Sequence, residues 1–337
     1  MYKLIQEGQA KIYIPKEKKI SKKLPVFYNP LMALNRSISV LVLENIPNKN
    51  MQIGLPLAGS GVRGIRLLKE LPKNKIKFIY FNDHSKQAVN IIKKNLKINK
   101  IKSKTKLHNQ DANLFILENK GFDYIDIDPF GTPNPFLDSA VKALSRNSIL
   151  AVTATDTAPL AGTYPNACRR KYWASPKLDS NKHETGLRIL IRKIQLIAAQ
   201  YEKALTPILS YYHEHYFRVF FKCEKGKTKI DKIIKQHGMF NNAGPLWLGN
   251  LWDCRLIKKL KTDLKIIQTI KQECPVQTLG FIDIHKFCKK HRLKIPKTEI
   301  LIKKIKTKKF KAAQTHFSPT GIRTNMPEKK LIRLFAR

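Results

Sequence analysis

The chain has 337 residues, 42% of them hydrophobic, and carries 65 Lys and Arg against 24 Asp and Glu, a formal charge of +41. That length exceeds one ordinary compact domain, and the field of so basic a chain draws polyanions, so RNA or DNA is the expected partner. No apolar run approaches the roughly 18–20 residues of a membrane span, and Met1–Lys23 lacks the apolar stretch of a secretion signal; a soluble, cytoplasmic protein without a membrane partner is expected.

From Met51 to Cys223 short apolar runs alternate with segments of helical period. Met51–Leu57 reads as a first strand and Val62–Leu71 as the helix after it. Lys77–Phe81 is a second strand, followed by a helix over Ser85–Ile98 with Ala88, Ile92 and Leu96 stacked four apart. Lys106–His108, Phe122–Ile127 and Ile149–Thr153 read as strands three to five, with helices near Ala112–Asn119 and Asn134–Leu144. Thr185–Leu205 reads as one long helix and Tyr211–Cys223 as one or two closing strands. Repeated strand–helix units predict a doubly wound α/β domain with a mainly parallel sheet. Asp156–Glu184 reads as a long loop rich in Pro, Gly and cations, of the kind that is usually functional. A junction falls at Lys225–Lys229. The two predicted domains are therefore 1–225 and 226–337, the second smaller, basic, mainly helical α+β, winged-helix-like, with a tail at Phe317–Pro327.

The cysteines, Cys168, Cys223, Cys254, Cys274 and Cys288, form no CxxC pair, so no zinc ribbon is expected, and their odd number suggests reduced thiols. His213 and His215 near Cys223 could suggest a metal, but strand residues with one buried face explain them better.

Chemistry concentrates at two strand ends. Gly59-Ser60-Gly61-Val62-Arg63-Gly64 fits G-x-G-x-x-G between strand and helix, where bare backbone lets a nucleotide approach. Asp83 ends the next strand, 24 residues after Gly59, where a carboxylate can accept from ribose hydroxyls. Together they indicate an adenosine-containing cofactor. The fourth strand ends in Asp126-Ile127-Asp128-Pro129-Phe130-Gly131. An acid, a proline and an aromatic at that place suit methylation of an amine conjugated to a ring. The carboxylate of Asp128 accepts the N–H bonds and can take the proton, Pro129 sets the turn, and Phe130 stacks on the base. Asp126, two residues earlier on the same side of the strand, reads as an Arg-paired or helix-capping carboxylate.

At these residues the chain resembles the archaeal and eukaryotic tRNA guanine-26 N2-dimethyltransferases, the Trm1 family. The resemblance runs through Val26-Phe27-Tyr28-Asn29-Pro30, Met32-Ala33-Leu34-Asn35-Arg36, Gly61–Arg66, Asp128–Pro133, Val152–Asp156, Ala167–Tyr172, His215–Arg218, Ala243–Gly249 and Thr315–Thr324. It implies a class I S-adenosyl-L-methionine-dependent methyltransferase domain of Rossmann-like fold. It also implies two successive methyl transfers from that cofactor to N2 of one tRNA guanine at the junction of the D and anticodon stems. By matching motifs it implies Arg36, Arg63, Asp83, Asp111 and Ala112 as cofactor contacts: Arg36 or Arg63 on the methionine carboxylate, Asp83 on the ribose, Asp111 on the adenine amine. Phe27 and Phe130 would sandwich the target base beside Asp128. A monomer is expected, with tRNA as partner. The chain departs from the pattern where Leu55 and Pro56 replace the acid common before the glycine loop. It departs again where Lys225–Asn242 lacks the four cysteines of some relatives, so no metal is expected.

Overall fold

The computed structural model describes residues 2–16 and 26–335; part of the stretch Met1–Lys23 read for a signal lies outside them. In chain order the elements are β1 (Tyr2–Glu7), β2 (Ala10–Pro15), α1 (Ala33–Asn45), β3 (Met51–Leu55), α2 (Val62–Glu70), β4 (Ile76–Asn82), α3 (Lys86–Ile98), β5 (Thr105–His108), α4 (Ala112–Glu118), β6 (Phe122–Ile127), α5 (Asn134–Ala143) and β7 (Leu144–Ala154). Then come α6 (Thr157–Leu160), α7 (Pro165–Tyr172), α8 (Lys182–Ala199), β8 (Lys203–His213), β9 (Tyr216–Lys225), α9 (Lys227–Ile234), β10 (His237–Phe240), β11 (Ala243–Trp247), α10 (Cys254–Lys259) and α11 (Lys265–Glu273). The chain closes with β12 (Ile282–Asp283), α12 (Ile284–His291), α13 (Thr298–Thr307), β13 (Ala312–Gln314), β14 (Gly321–Thr324) and α14 (Glu328–Phe335). None of the described helices is long and apolar enough to cross a membrane.

The central sheet is α/β and Rossmann-like, with strand order β5-β4-β3-β6-β7-β9-β8. β3 pairs parallel with both β4 and β6, β4 with β5, and β6 with β7. Parallel strands covered on both faces read as continuous apolar runs. β6 shows this: Tyr124, Ile125 and Ile127 are fully buried, each fully buried apolar side chain contributing about 1.5–3 kcal/mol. The order reverses between β3 and β6, which opens a crevice at their carboxyl ends, the place where such sheets bind ligands. The helices between strands start on local signals. Ser85 Oγ accepts from Ala88 N at 3.3 Å to cap α3, and Asp111 caps α4.

The predicted strands and helices from Met51 to Leu144 appear within a few residues of the expected bounds. Beyond them the structure corrects the sequence reading. The long helix ends at Ala199, and Leu205 lies on a strand. Glu202 takes φ +52° at the turn, and Ala204, Leu205, Ile208 and Leu209 are all buried; an apolar run buried on both faces cannot be told from helix by period alone. The loop read at Asp156–Glu184 contains α6, α7 and the start of α8. The tail read at Phe317–Pro327 contains β14, the middle strand of a sheet ordered β12-β14-β13, so the C-terminal stretch is less helical than expected. Cys254 and Cys274, read as reduced thiols, are joined by a disulfide.

The chain divides into two compact units that interleave in sequence: residues 1–155, 197–206 and 220–231, and residues 156–196, 207–219 and 232–337. A single cut near residue 225 does not describe them, because β8 and β9 each contribute residues to both. In the second unit the apolar core under the three-stranded sheet gathers Ile284, Phe287, Leu301, Ile305, Ile322 and Leu331.

Candidate functional site

The site lies in the first unit, where the glycine loop leaving β3 faces the turn leaving β6. Gly61 caps α2 in a left-handed conformation, φ +76°, which only glycine adopts without cost. Gly59, φ +55°, sits so close to the Phe27 segment that a Cβ would lie 2.8 Å from the Phe27 carbonyl oxygen. The loop is pinned from several sides. Ser60 N donates to Phe27 O at 3.1 Å and Ala58 N to Asn82 O at 2.9 Å. Gly59 N donates to Asp83 Oδ2, also at 2.9 Å. Asn95 Nδ2, on α3, reaches Ser60 O at 2.9 Å.

A cavity of about 50 Å³ is lined by Phe27, Tyr28, Arg36, Gly59, Arg63 and Asp128 among others. Arg63 is its electrostatic hinge. Its Nη2 donates to Asp128 Oδ2 at 2.5 Å, its Nη1 to Ser39 Oγ at 2.7 Å, and Nη1 lies 3.4 Å from Asp126 Oδ2. Asp126 is thus an Arg-paired carboxylate, bonded also to the Tyr124 hydroxyl. Asp128 keeps a side chain 20% exposed at the cavity rim. The turn beyond it is tied down by Gly131, whose N donates to Thr155 Oγ1 at 2.7 Å and whose O accepts from Thr155 N at 2.9 Å.

Phe27 and Phe130 come together edge to face, ring centroids 4.2 Å apart. That spacing leaves no room for a base between them; a sandwiched base requires the rings to part. Arg36 lines the cavity, but Glu7 Oε1 and Oε2 accept from its Nε and Nη2 at 2.7 and 2.5 Å, and Asn29 O accepts from Nη2 at 3.0 Å. Glu7 also takes bonds from Arg66 Nη1 at 3.1 Å and the Tyr28 hydroxyl at 3.0 Å. Burial works to raise the Glu7 carboxyl, but Arg36, Arg66 and Tyr28 together hold it below the usual range. Burial and then the Glu7 charge push the Tyr28 phenol up to about 12.

Asp83 organises the strand ends: Oδ2 holds Gly59 and Oδ1 accepts from Ser85 N at 2.9 Å. Asp111 and Ala112 stand at the start of α4 rather than on the cavity lining. Asp111 Oδ1 accepts from Asn113 N at 2.8 Å and Leu114 N at 3.1 Å, and Ala112 is buried. Sequence reasoning missed Glu7, which reaches the site from an N-terminal hairpin docked on α3: Asn95 and Asn99 accept from Tyr13 N and Lys11 N at 2.7 and 3.0 Å. It also missed Asn82, whose Nδ2 bridges Pro56 O and Gln110 O, both at 3.0 Å. A polar residue closing the apolar run Phe78–Phe81 is the signal that could have found Asn82.

A bare-backbone loop beside one central strand, an acid–proline–aromatic turn beside its neighbour and a switch point between them define a nucleotide-cofactor enzyme of the Rossmann-like α/β class. A family model described as N2,N2-dimethylguanosine tRNA methyltransferase matches residues 8–242 and 237–336. The chain is 38% identical to the tRNA (guanine(26)-N(2)/guanine(27)-N(2))-dimethyltransferase of Aquifex aeolicus, over 98% of this chain and 95% of that protein. It is 36% identical to the tRNA (guanine(26)-N(2))-dimethyltransferase of Methanobrevibacter smithii, over 98% and 96%. Its structure superposes on that of Trm1 from Pyrococcus horikoshii in complex with S-adenosyl-L-methionine with a TM-score of 0.87 at 35% identity, covering 99% of this chain and 100% of that one. The chain belongs to the N2,N2-dimethylguanosine tRNA methyltransferase family.

Proposed function

We propose that the chain is a tRNA (guanine(26)-N(2))-dimethyltransferase of class I methyltransferase fold that moves two methyl groups in succession to one exocyclic guanine amine. The observation that carries this reading is Asp128, set at the cavity rim by the end of β6 and oriented by Arg63 at 2.5 Å. S-adenosyl-L-methionine, when bound, supplies a methyl group on positively charged sulfur, an electrophile an amine can attack. The residues fit such a group. The glycine loop offers backbone where a side chain would collide with Phe27, and beside it the buried Ser60 hydroxyl has no hydrogen-bond partner among the described residues. Arg36 would meet its carboxylate, Asp83 its ribose, and Asp111 with Ala112 its adenine.

The remaining chemistry belongs to this chain. A guanine N2 amine is a weak nucleophile because its lone pair is drawn into the ring. Asp128 accepts an N–H of that amine, returns electron density to nitrogen, and takes the proton as the new N–C bond forms. Arg63 keeps the carboxylate aimed. Phe27 and Phe130 part to hold the base by its faces, which fixes the amine for attack. Residues 226–337 would hold the tRNA, with cations such as Lys304, Lys308, Lys330 and Arg333 around a cavity of about 910 Å³.

The test is incubation with a tRNA transcript and S-adenosyl-L-methionine, followed by nuclease digestion and mass spectrometry. N2,N2-dimethylguanosine at position 26 is expected. Methyl on N7 or N1, or unmodified tRNA, overturns the reading. In the same preparation S-adenosylhomocysteine at a hundredfold excess over Kd stabilises the fold by about 2.7 kcal/mol, and NAD does not.

A further inference from the structure

The second unit carries a surface that the chemistry at Asp128 does not use. α7 is a basic helix whose last turn holds Arg169, Arg170 and Lys171, and Trp173 follows as its C-terminal cap with φ +54°. Helices commonly end in that left-handed conformation on glycine; on a bulky aromatic it is an outlier, and such outliers cluster at functional surfaces. Trp173 is also 50% exposed, whereas Trp247 and Trp252 are 3% and 2% exposed. Tyr164, at the other end of α7, is 61% exposed.

Two cations of α8 contact Trp173. Lys193 Nζ lies over the ring, 2.7 Å from its centroid, and Arg192 Nη1 donates to the Trp173 carbonyl at 3.3 Å. Lys193 is only 5% exposed, and burial with the neighbouring Arg192 charge lowers its ammonium to about 8. Arg192 Nε is buried without a hydrogen-bond partner among the described residues. Arg169 bonds to neutral groups, Ser175 Oγ at 3.1 Å and Asn166 Oδ1 at 3.4 Å. Lys171 is matched by Asp156 at 3.3 Å, but among the described residues no carboxylate pairs with Arg169, Arg170, Arg192 or Lys193.

A half-exposed ring with a cation over it, beside a helix turn of guanidinium groups that pair with no carboxylate among the described residues, matches a nucleotide. The base stacks on the ring and the flanking phosphates satisfy the cations. We propose that Trp173 is a stacking platform for one unpaired nucleotide of the tRNA, with Arg169, Arg170 and Arg192 on the adjoining phosphates. The proposal rests on the tRNA reading above and adds a contact away from the target guanine.

Intrinsic fluorescence of the full chain tests it, because Trp173 is the exposed member of three tryptophans. Titration with tRNA quenches the wild-type emission, and Trp173→Phe abolishes that quench while keeping affinity within a few-fold, since a smaller ring still stacks. Trp173→Gly removes the ring and relieves the left-handed backbone. It therefore melts no lower than wild type and binds S-adenosyl-L-methionine equally well, yet loses roughly 5- to 150-fold in tRNA affinity, the equivalent of one base stack. Wild-type binding of tRNA without quenching overturns the platform, as does unchanged affinity in Trp173→Gly. Equal quenching by a blunt RNA duplex or by polyglutamate overturns the unpaired nucleotide as its occupant. If any of these results comes with continued tRNA methylation, the platform falls and the enzymatic reading stands. If the wild type neither binds nor methylates tRNA, both fall.

Discussion

Arg63 lies between Asp126 and Asp128, and Arg323 lies between Glu184 and Glu273, yet the two arrangements are built to different ends. In the first unit Asp126 is 1% exposed but Asp128 is 20% exposed, so the cation holds one carboxylate inside and presents the other to a cavity. In the second unit Arg323, Glu184 and Glu273 are exposed by no more than 2%. There Arg323 Nε donates to Glu273 at 2.9 Å and Nη2 to Glu184 at 2.7 Å, while Gly280 O accepts from Nη1 at 2.9 Å. Arg188 joins through Glu184 at 2.9 Å, and His316 Nδ1 lies 2.7 Å from Glu273. One ion cluster keeps a carboxylate on a cavity; the other is buried throughout.

The sharpest way to break that comparison is to remove the open carboxylate. Asp128→Ala leaves S-adenosyl-L-methionine binding close to wild type and cuts turnover by roughly 10²–10⁴, the loss typical of a missing proton acceptor. Asp128→Asn keeps one acceptor oxygen. It retains more activity if hydrogen bonding to the amine is the larger effect and matches alanine if proton removal is. Single-turnover methylation under saturating cofactor measures both, and a near wild-type rate for Asp128→Ala would remove Asp128 from the mechanism.

Removing the closed cation has a different signature. Arg323→Met leaves Glu184 and Glu273 buried with less positive charge, which costs about 3–5 kcal/mol when one partner of a buried pair is lost. Thermal unfolding reads this, while cofactor binding to whatever remains folded stays normal. The cluster also predicts an acid limit. Burial acts to raise the Glu273 carboxyl, but His316 and then Arg323 bring it down to about 2 from an ordinary 4.5. A depressed carboxyl stabilises the fold above its ordinary value and loses that contribution as pH falls toward the folded value. Stability should therefore fall between about pH 4.5 and 2 in the wild type, and more shallowly in Glu273→Gln.

These two clusters were unequally legible in the sequence. Asp128-Pro129-Phe130 and the glycine loop are local: strand period, turn chemistry and spacing within a few residues place them. Arg323 is invisible to such reasoning, because its partners stand 50 and 139 residues away and its surroundings, Thr320-Gly321-Ile322-Arg323, read as a tail. Glu7 was missed for the same reason, its partners being Arg36 and Arg66. The β8 strand was misread because its neighbouring apolar pairs, Ala204 with Leu205 and Ile208 with Leu209, are buried together and so carry no alternation.

Phe130 lies between the two cases, a 40% exposed ring resting on Phe27. Phe130→Ala opens no buried cavity, so melting should hardly change, whereas productive binding of the base weakens by about 1–3 kcal/mol, the worth of one stack. Steady-state kinetics against tRNA should show the loss, with Phe130→Tyr restoring most of it. An equal loss in Phe130→Tyr would mean that packing against Phe27, and not stacking, is what the ring supplies.

The smallest expected effect concerns Asp111, where a structural and a binding role share one side chain. Both capping bonds to α4 land on Oδ1, which leaves Oδ2 for the adenine amine assigned to it above. The two roles separate because they need different chemistry at the same position. Serine is as good an N-cap as aspartate, and alanine costs about 1 kcal/mol there. Asp111→Ser should therefore melt with wild type yet bind S-adenosyl-L-methionine several-fold more weakly, because its hydroxyl reproduces Oδ1 but not Oδ2. Asp111→Ala should lose both stability and affinity. Calorimetric cofactor titration beside thermal unfolding distinguishes them: if Asp111→Ser binds cofactor like wild type, Asp111 is a helix cap and the adenine is held by other groups.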